Sequence, residues 1–422
     1  MGPIDRRTFL RGAAAIAGAS FLPLELARGD DPPGGYDVSE WGVFVLAGDL
    51  PSGRAADLEG DFPEFVYAAR RDRTRFLKAV HEAEQAPIIV TKPVVWFRGT
   101  APGRIAMSVG LPGGKPLVWW PAARVEGQGL AWDVELVPAE TPPTKVAPEG
   151  HWWNRLRESD ACAVRIGDTV ERFVYYDGET RIVDRLSVRQ DGSALVVANG
   201  YPHAVHDVVF AWNPRGPEGP RHLGVVGAIG AGAQVRVGLE PRGGPLVEDG
   251  AAELVRALES AGMPPSDRDA FVAVWKGEFF GRAGLTVAFR LPTEVYDDLL
   301  PLTLDPPPRS RVRIGWCLAV DRDPDLAERV RELVEALGSD EWTARQDAFA
   351  SLSRLGVTAL PALREAIAHG QDAHVMNEAR RLVELIESRY STEDVPAALM
   401  PAYDEWKRYG RIVPPEWRHR VR

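Results

Sequence analysis

Pro87–Phe97 reads PIIVTKPVVWF, a short run of β-branched and aromatic residues, which is the composition of a strand. Runs of the same kind follow at short intervals. They are RIAMSVGL (104–111), PLVWWPA (116–122), LAWDVELVP (130–138), ACAVRIG (161–167), ERFVYYDG (171–178) and RLSVRQ (185–190). YDVSEWGVFVLAGD (36–49) reads as a strand and turn ahead of them. Turn residues punctuate the series, the pattern of an antiparallel sandwich or barrel, and it defines a β-rich unit over 36–190. One helix is expected inside it, from Pro63 to about Gln85, with Phe65, Ala69, Phe76, Leu77 and Val80 on one face.

A second β unit with helices is expected over 194–320. ALVVANGYP (194–202), HDVVFAW (206–212), HLGVVGAI (222–229) and AQVRVGLEP (233–241) read as strands of a small immunoglobulin-like sandwich, with a turn at Gly230–Gly232. EDGAAELVRALESAG (248–262) and SDRDAFVAVWKGEFF (266–280) read as helices, the first stopping at Gly262. Two further strands lie at 284–292 and 310–320.

From Asp325 to Tyr390 the apolar period changes from two to about 3.6. Stripes such as Leu326, Val330, Leu333, Val334 and Leu337 predict four short antiparallel helices. Gly338, Gly356 and Gly370 stand at their stops, and Asp340 and Asp372 stand where caps belong. LGSDEWTARQDAFASLSRLGVTALPALREAI (337–367) and DAHVMNEARRLVELIE (372–387) resemble HEAT-type repeats. Arg345 and Ala348 match the family's Val-Arg-like step in the first unit. Val375 and Ala379 match it in the second, where Met376 replaces the Arg. Arg345, Met376 and Arg380 are the candidate interaction surface that the resemblance implies. Repeat arrays bury a continuous core with three or more units, so two are expected to pack against the β body or a partner. The fold class expected overall is mixed: a β-sandwich-rich, largely antiparallel body with a C-terminal all-α HEAT-like unit. A basic tail follows over 391–422.

Near the N-terminus, Arg6 and Arg7 precede Thr8, Phe9, Leu10 and Arg11, and an Ala- and Gly-rich apolar run follows to about Leu26. The stretch 1–30 resembles a twin-arginine (Tat) export signal, with Arg6, Arg7, Phe9 and Leu10 as its motif. That resemblance implies a folded export substrate working in the periplasm or cell envelope. The order of leader, β-rich body and HEAT-like end resembles exported bacterial proteins of uncharacterised activity.

Composition narrows the function. A formal net charge of −10 argues against a general nucleic-acid binder. No segment after the leader has the unbroken apolar length of a transmembrane helix. The two cysteines, Cys162 and Cys317, are too few for a disulfide scaffold and read as free thiols. P-loop, dinucleotide, GxSxG and HExxH motifs do not occur, and no cofactor is expected.

Three readings follow. The leading one is an exported binding or scaffold protein whose HEAT-like unit meets a protein partner in the cell envelope. The alternative is glycan binding by Trp119, Trp120, Trp152 and Trp153, because exposed indole faces stack on sugar rings; in a core the same rings are anchors. The third is a metal-dependent hydrolase on His203, His206 and Asp207, which needs a loop to bring both histidines to one ion.

Overall fold

The computed structural model describes residues 35–46, 62–63, 65–68, 88–100, 103–180, 182–192, 194–214, 221–238 and 240–388. They form a mixed structure of mostly antiparallel sheets, with helices concentrated in the C-terminal half. Both cysteines are free.

The largest sheet has ten strands. From edge to edge they are β16 (Glu240–Arg242), β14 (Arg221–Ile229), β13 (Val205–Asn213), β17 (Gly284–Arg290), β19 (Ser310–Ala319), β1 (Tyr36–Leu46), β3 (Ile88–Gly99), β10 (Val174–Thr180), β5 (Pro116–Trp120) and β2 (Tyr67–Ala68). Strands from both predicted β units therefore share one sheet. The join is the parallel pair β1–β19; the other neighbours in the sheet are antiparallel. A parallel pair needs a long crossover, and here the chain between the two strands supplies it. Strands buried on both faces read as near-continuous apolar runs, as β1 does. Tyr36, Val38, Phe44 and Leu46 face one cluster, while Trp41, Val43 and Val45 face the other.

Pro93 lies inside β3, where a proline removes a ladder hydrogen bond. The register absorbs it. Trp41 pairs with Val94 and Val43 with Thr91, so Lys92 and Pro93 bulge opposite Gly42. A Cβ on Gly42 would lie 3.2 Å from the Pro93 ring and 2.6 Å from the Tyr296 hydroxyl, so any side chain there must displace the tyrosine.

One face of the sheet shares a core with two smaller sheets. The first contains β18 (Leu302–Asp305), β4 (Ile105–Gly110), β7 (Gly129–Val137), β8 (Ala163–Ile166) and β9 (Thr169–Glu171), with β6 (Arg124–Glu126) paired to β7. The second is β11 (Leu186–Asp191), β12 (Ala194–Asn199) and β15 (Gln234–Gly238). The other face packs on α1 (Trp153–Leu156), α2 (Leu246–Ser260) and α3 (Pro265–Phe280), through Leu254, Leu258, Phe271, Trp275 and Phe279. Gly262, at φ +80°, ends α2 as expected. The short α4 (Thr293–Leu299) lies between β17 and β18.

The helix expected from Pro63 is corrected at its start. Tyr67 and Ala68 pair with Trp119 and Val118 as a strand, and Phe65 lies 4.7 Å from the Trp120 ring centroid. Aromatic packing on β5 outcompetes the helical stripe there. Residues 69–87 lie outside the described set, as do 1–34 and 391–422, on which the expected leader and basic tail fall.

The four C-terminal helices are α5 (Leu326–Ala336), α6 (Trp342–Leu355), α7 (Leu360–His369) and α8 (Ala373–Ser388). Leu326, Val330, Leu352, Leu360, Leu363, Ala379, Leu382 and Ile386 belong to a core distinct from both cores of the β body. Asp372 accepts the His374 amide at 2.7 Å, as a cap should. At the start of α6 it is the Ser339 hydroxyl that accepts the Glu341 amide, rather than Asp340.

Candidate functional site

The predicted metal ligands do not converge. His203 Nδ1 lies 3.0 Å from its neighbour's carbonyl, that of Ala204, and the ring stacks on Tyr201. His206 sits on β13 beside a bulge at Asp207, whose φ is +49°. The Asp207 carboxylate accepts from Arg290 Nε at 2.6 Å. Among the described residues no three His, Cys, Asp or Glu side chains could hold one ion.

The four candidate stacking tryptophans lie mostly inside the fold. Trp119, Trp120 and Trp153 are buried, and Trp152 is half-buried against Phe62. Their polar edges are spent inward. Trp120 and Trp153 both donate to Glu171, at 3.0 and 3.4 Å, and Arg157 clamps the same carboxylate. A sugar platform needs free ring faces, which the three buried indoles lack.

Among the candidate interaction residues, Arg345 is half-buried and donates to the carbonyls of Ser339 and Asp340, bracing the turn before α6. Met376 is half-buried beside Gly370. Arg380 is exposed and donates to Asn377. Apolar spacing groups Trp342 with Ala348, Phe349, Leu352 and Leu355 as a helical stripe, yet Trp342 is 66% exposed at the first position of α6. Its signal was ambiguous because an indole at a helix start satisfies the apolar period whichever way the helix turns.

Two polar centres went unnoticed in the sequence. Glu40 on β1 and Arg313 on β19 are register partners and ion-paired, both side chains fully buried. Tyr176 and Tyr296 donate to the other oxygen of Glu40, while Arg313 also reaches Asp297 and the Leu300 carbonyl. Burial, then the Glu40 charge, pushes both phenols well above the usual tyrosine range. Desolvation alone would lower Arg313, but Glu40, Tyr296 and Tyr176 together outweigh it and hold the guanidinium charged. Every oxygen of Glu40 is occupied in a closed core, so the centre orders strands rather than performing chemistry.

The second centre lies at the start of α3. Asp267, fully buried, accepts from Ser39, from Ser159 at 2.7 Å and from both terminal nitrogens of Arg98 at 2.9 and 2.6 Å. Arg98 also binds the exposed Asp160, which takes the Ser266 hydroxyl at 2.8 Å. Burial is the largest single influence on Asp160 and opposes its ionisation, but Ser266 and Arg98 together prevail and hold its pKa below the ordinary value. The only sequence signal for either centre is a charged residue beside or within an apolar run, such as Glu40 in YDVSEWGVFVL.

A separate open groove of about 430 Å³ runs between β4, β7 and β18, lined by Ser108, Glu126, Gln128, Pro301 and Thr303. Gln128 spends its carbonyl oxygen on the Gly113 amide.

No protein-family model matches the chain, and no curated protein sequence matches it. Solved structures similar to it include the mu-homology domain of yeast delta-COP-I, in complex with a Dsl1 WxWxV peptide and alone. The complex is 9% identical with a TM-score of 0.24, covering 68% of this chain and 96% of that one; the other is 8% identical with a TM-score of 0.24, covering 69% and 98%. A likeness at that level carries no assignment of fold or function.

Proposed function

We propose that this chain is an exported binding protein whose C-terminal helices, read as a HEAT-like unit on a sandwich-type body, hold a protein partner in the cell envelope. The observation that carries the reading is Trp342, two-thirds exposed on a unit with its own core. A tryptophan left in water is costly, and interface hot spots are enriched in this residue because covering it removes ~150–250 Å² from solvent. Arg380, exposed on α8, offers a polar contact on the same unit.

The test is recovery of partners from an envelope fraction with full-length protein, comparing wild type, Trp342→Ala and Arg380→Glu. A protein held by wild type and lost with Trp342→Ala, while thermal unfolding is unchanged, supports the reading. Equal recovery by both sinks it. Export is tested separately, by fractionating cells that express the chain with Arg6 and Arg7 replaced by Lys.

A further inference from the structure

We infer that the open groove between β4, β7 and β18 is a binding site for a short neutral saccharide. It lies on the face of the smaller sheet turned away from the core. Met107 and Val109 of β4 belong to the buried cluster, so strand alternation turns Ser108 and Gly110 outward. Ser108 and Thr303 are register partners, which sets their hydroxyls side by side on the groove floor. Gly110 comes next on the same face, and its missing side chain keeps the floor low beside Pro301.

The walls are tied to one another. The Gln128 side chain accepts the Gly113 amide at 3.1 Å, and the Gln128 carbonyl accepts the Leu111 amide at 2.9 Å. On the other side the Pro301 carbonyl accepts the Gly110 amide at 2.9 Å. These bonds fix the turn after β6, the loop after β4 and the start of β18 in place, and a preformed site spends less ordering entropy on its ligand. The volume of about 430 Å³ falls within the range of roughly 300–1,000 Å³ usual for small-molecule sites.

The lining selects the ligand. Among the described residues that line the groove there is no Lys, no Arg and no aromatic ring. An anion would find no cation there and would meet Glu126 instead. A flat aromatic ligand would find no ring to stack on. A wholly apolar ligand would cover the hydroxyls of Ser108 and Thr303, which have no partner among the described residues, and leave them unbonded. The groove offers two hydroxyls that donate and accept, the Gln128 NH₂ group that donates, and the Glu126 carboxylate, one oxygen of which accepts from Arg124. Donors and acceptors mixed in this way match the adjacent hydroxyls of a sugar ring, and Pro112 and Pro301 supply apolar walls for its C–H faces. The site needs none of the buried tryptophans and is separate from Trp342.

Calorimetric titration of full-length protein with cellobiose, maltose and N,N′-diacetylchitobiose tests this, with glucuronate as the anionic control. At least one neutral disaccharide is expected to bind saturably, and glucuronate is expected not to compete with it. Ser108→Ala with Thr303→Val removes both floor hydroxyls and should weaken binding about tenfold, with thermal unfolding unchanged. Gly110→Ile fills the floor and should abolish binding; its Cβ would come no closer than 3.6 Å to the Pro301 ring, so the strand can accept it. No saturable binding of any of the three disaccharides overturns the proposal. Binding that is indifferent to the loss of both hydroxyls places the sugar elsewhere and overturns it as well. Tighter binding of glucuronate than of the neutral sugars overturns the ligand class.

Discussion

Gly42 and Gly315 are register partners on β1 and β19, and the Tyr296 ring fills the slot their missing side chains leave. A Cβ on Gly315 would lie 2.4 Å from the ring, and one on Gly42 would lie 2.6 Å from the hydroxyl. The slot lets a phenol from α4 lie against the sheet, its ring 4.7 Å from the Arg313 guanidinium and its hydroxyl 3.4 Å from Glu40.

The two glycines therefore respond differently to the same rescue. Gly42→Ala and Gly315→Ala are each expected to cost about 1–3 kcal/mol by overpacking. Adding Tyr296→Phe removes the atom that Gly42→Ala meets first and should recover much of that loss. It should not rescue Gly315→Ala, whose contact is with the ring carbons. Denaturant midpoints of the singles and doubles check this; equal rescue of both would contradict the slot.

Removing one partner of the Glu40–Arg313 pair leaves an uncompensated charge in the core. Arg313→Leu is expected to destabilise the fold by about 3–5 kcal/mol. Replacing both with apolar residues, Glu40→Leu with Arg313→Met, should recover a large part of that loss, because the desolvation penalty disappears with the charges. Urea unfolding of the three proteins decides it.

Alkaline pH is expected to erode stability. Tyr176 and Tyr296 titrate in the folded protein well above the ordinary tyrosine value, and Tyr36 is pushed up to about 12, first by burial and then by the Asp305 charge. A pKa raised on folding favours the native state below the unfolded value, and that contribution is lost as pH rises through the folded one. Melting temperature should fall as pH climbs above 10, alongside delayed phenolate absorbance. A flat profile through that window would contradict the buried phenols.

Acid works through Asp37 and Asp160, with the opposite sign. Burial opposes ionisation of Asp37, but Arg309 and Ser310 overcome it and set its pKa below the usual 3.8. Ser266 and Arg98 do the same for Asp160. Their contribution is present above the unfolded value and is lost as pH falls through the lower folded one. Asp37→Asn should flatten part of the acid limb of the stability curve, measured by thermal unfolding from neutral pH downward.

Strand and helix positions were legible from the chain alone, because they rest on local patterns. The β-type runs at 116–122, 130–138, 206–212 and 310–320 lie where strands form, and the change of period near Asp325 marks where the four helices begin. Glycine's tolerance of positive φ at Gly262 and Gly356 marks helix ends without reference to anything distant. Tertiary structure alone decided that β1 pairs with β19, bringing Glu40 and Arg313 together across a separation of 273 residues. It also decided which tryptophans turn inward, with Trp153 buried and Trp342 in water. The reason is physical. Periodicity states that a side chain belongs on an apolar face, but whether another element covers that face depends on which distant strands and helices become its neighbours.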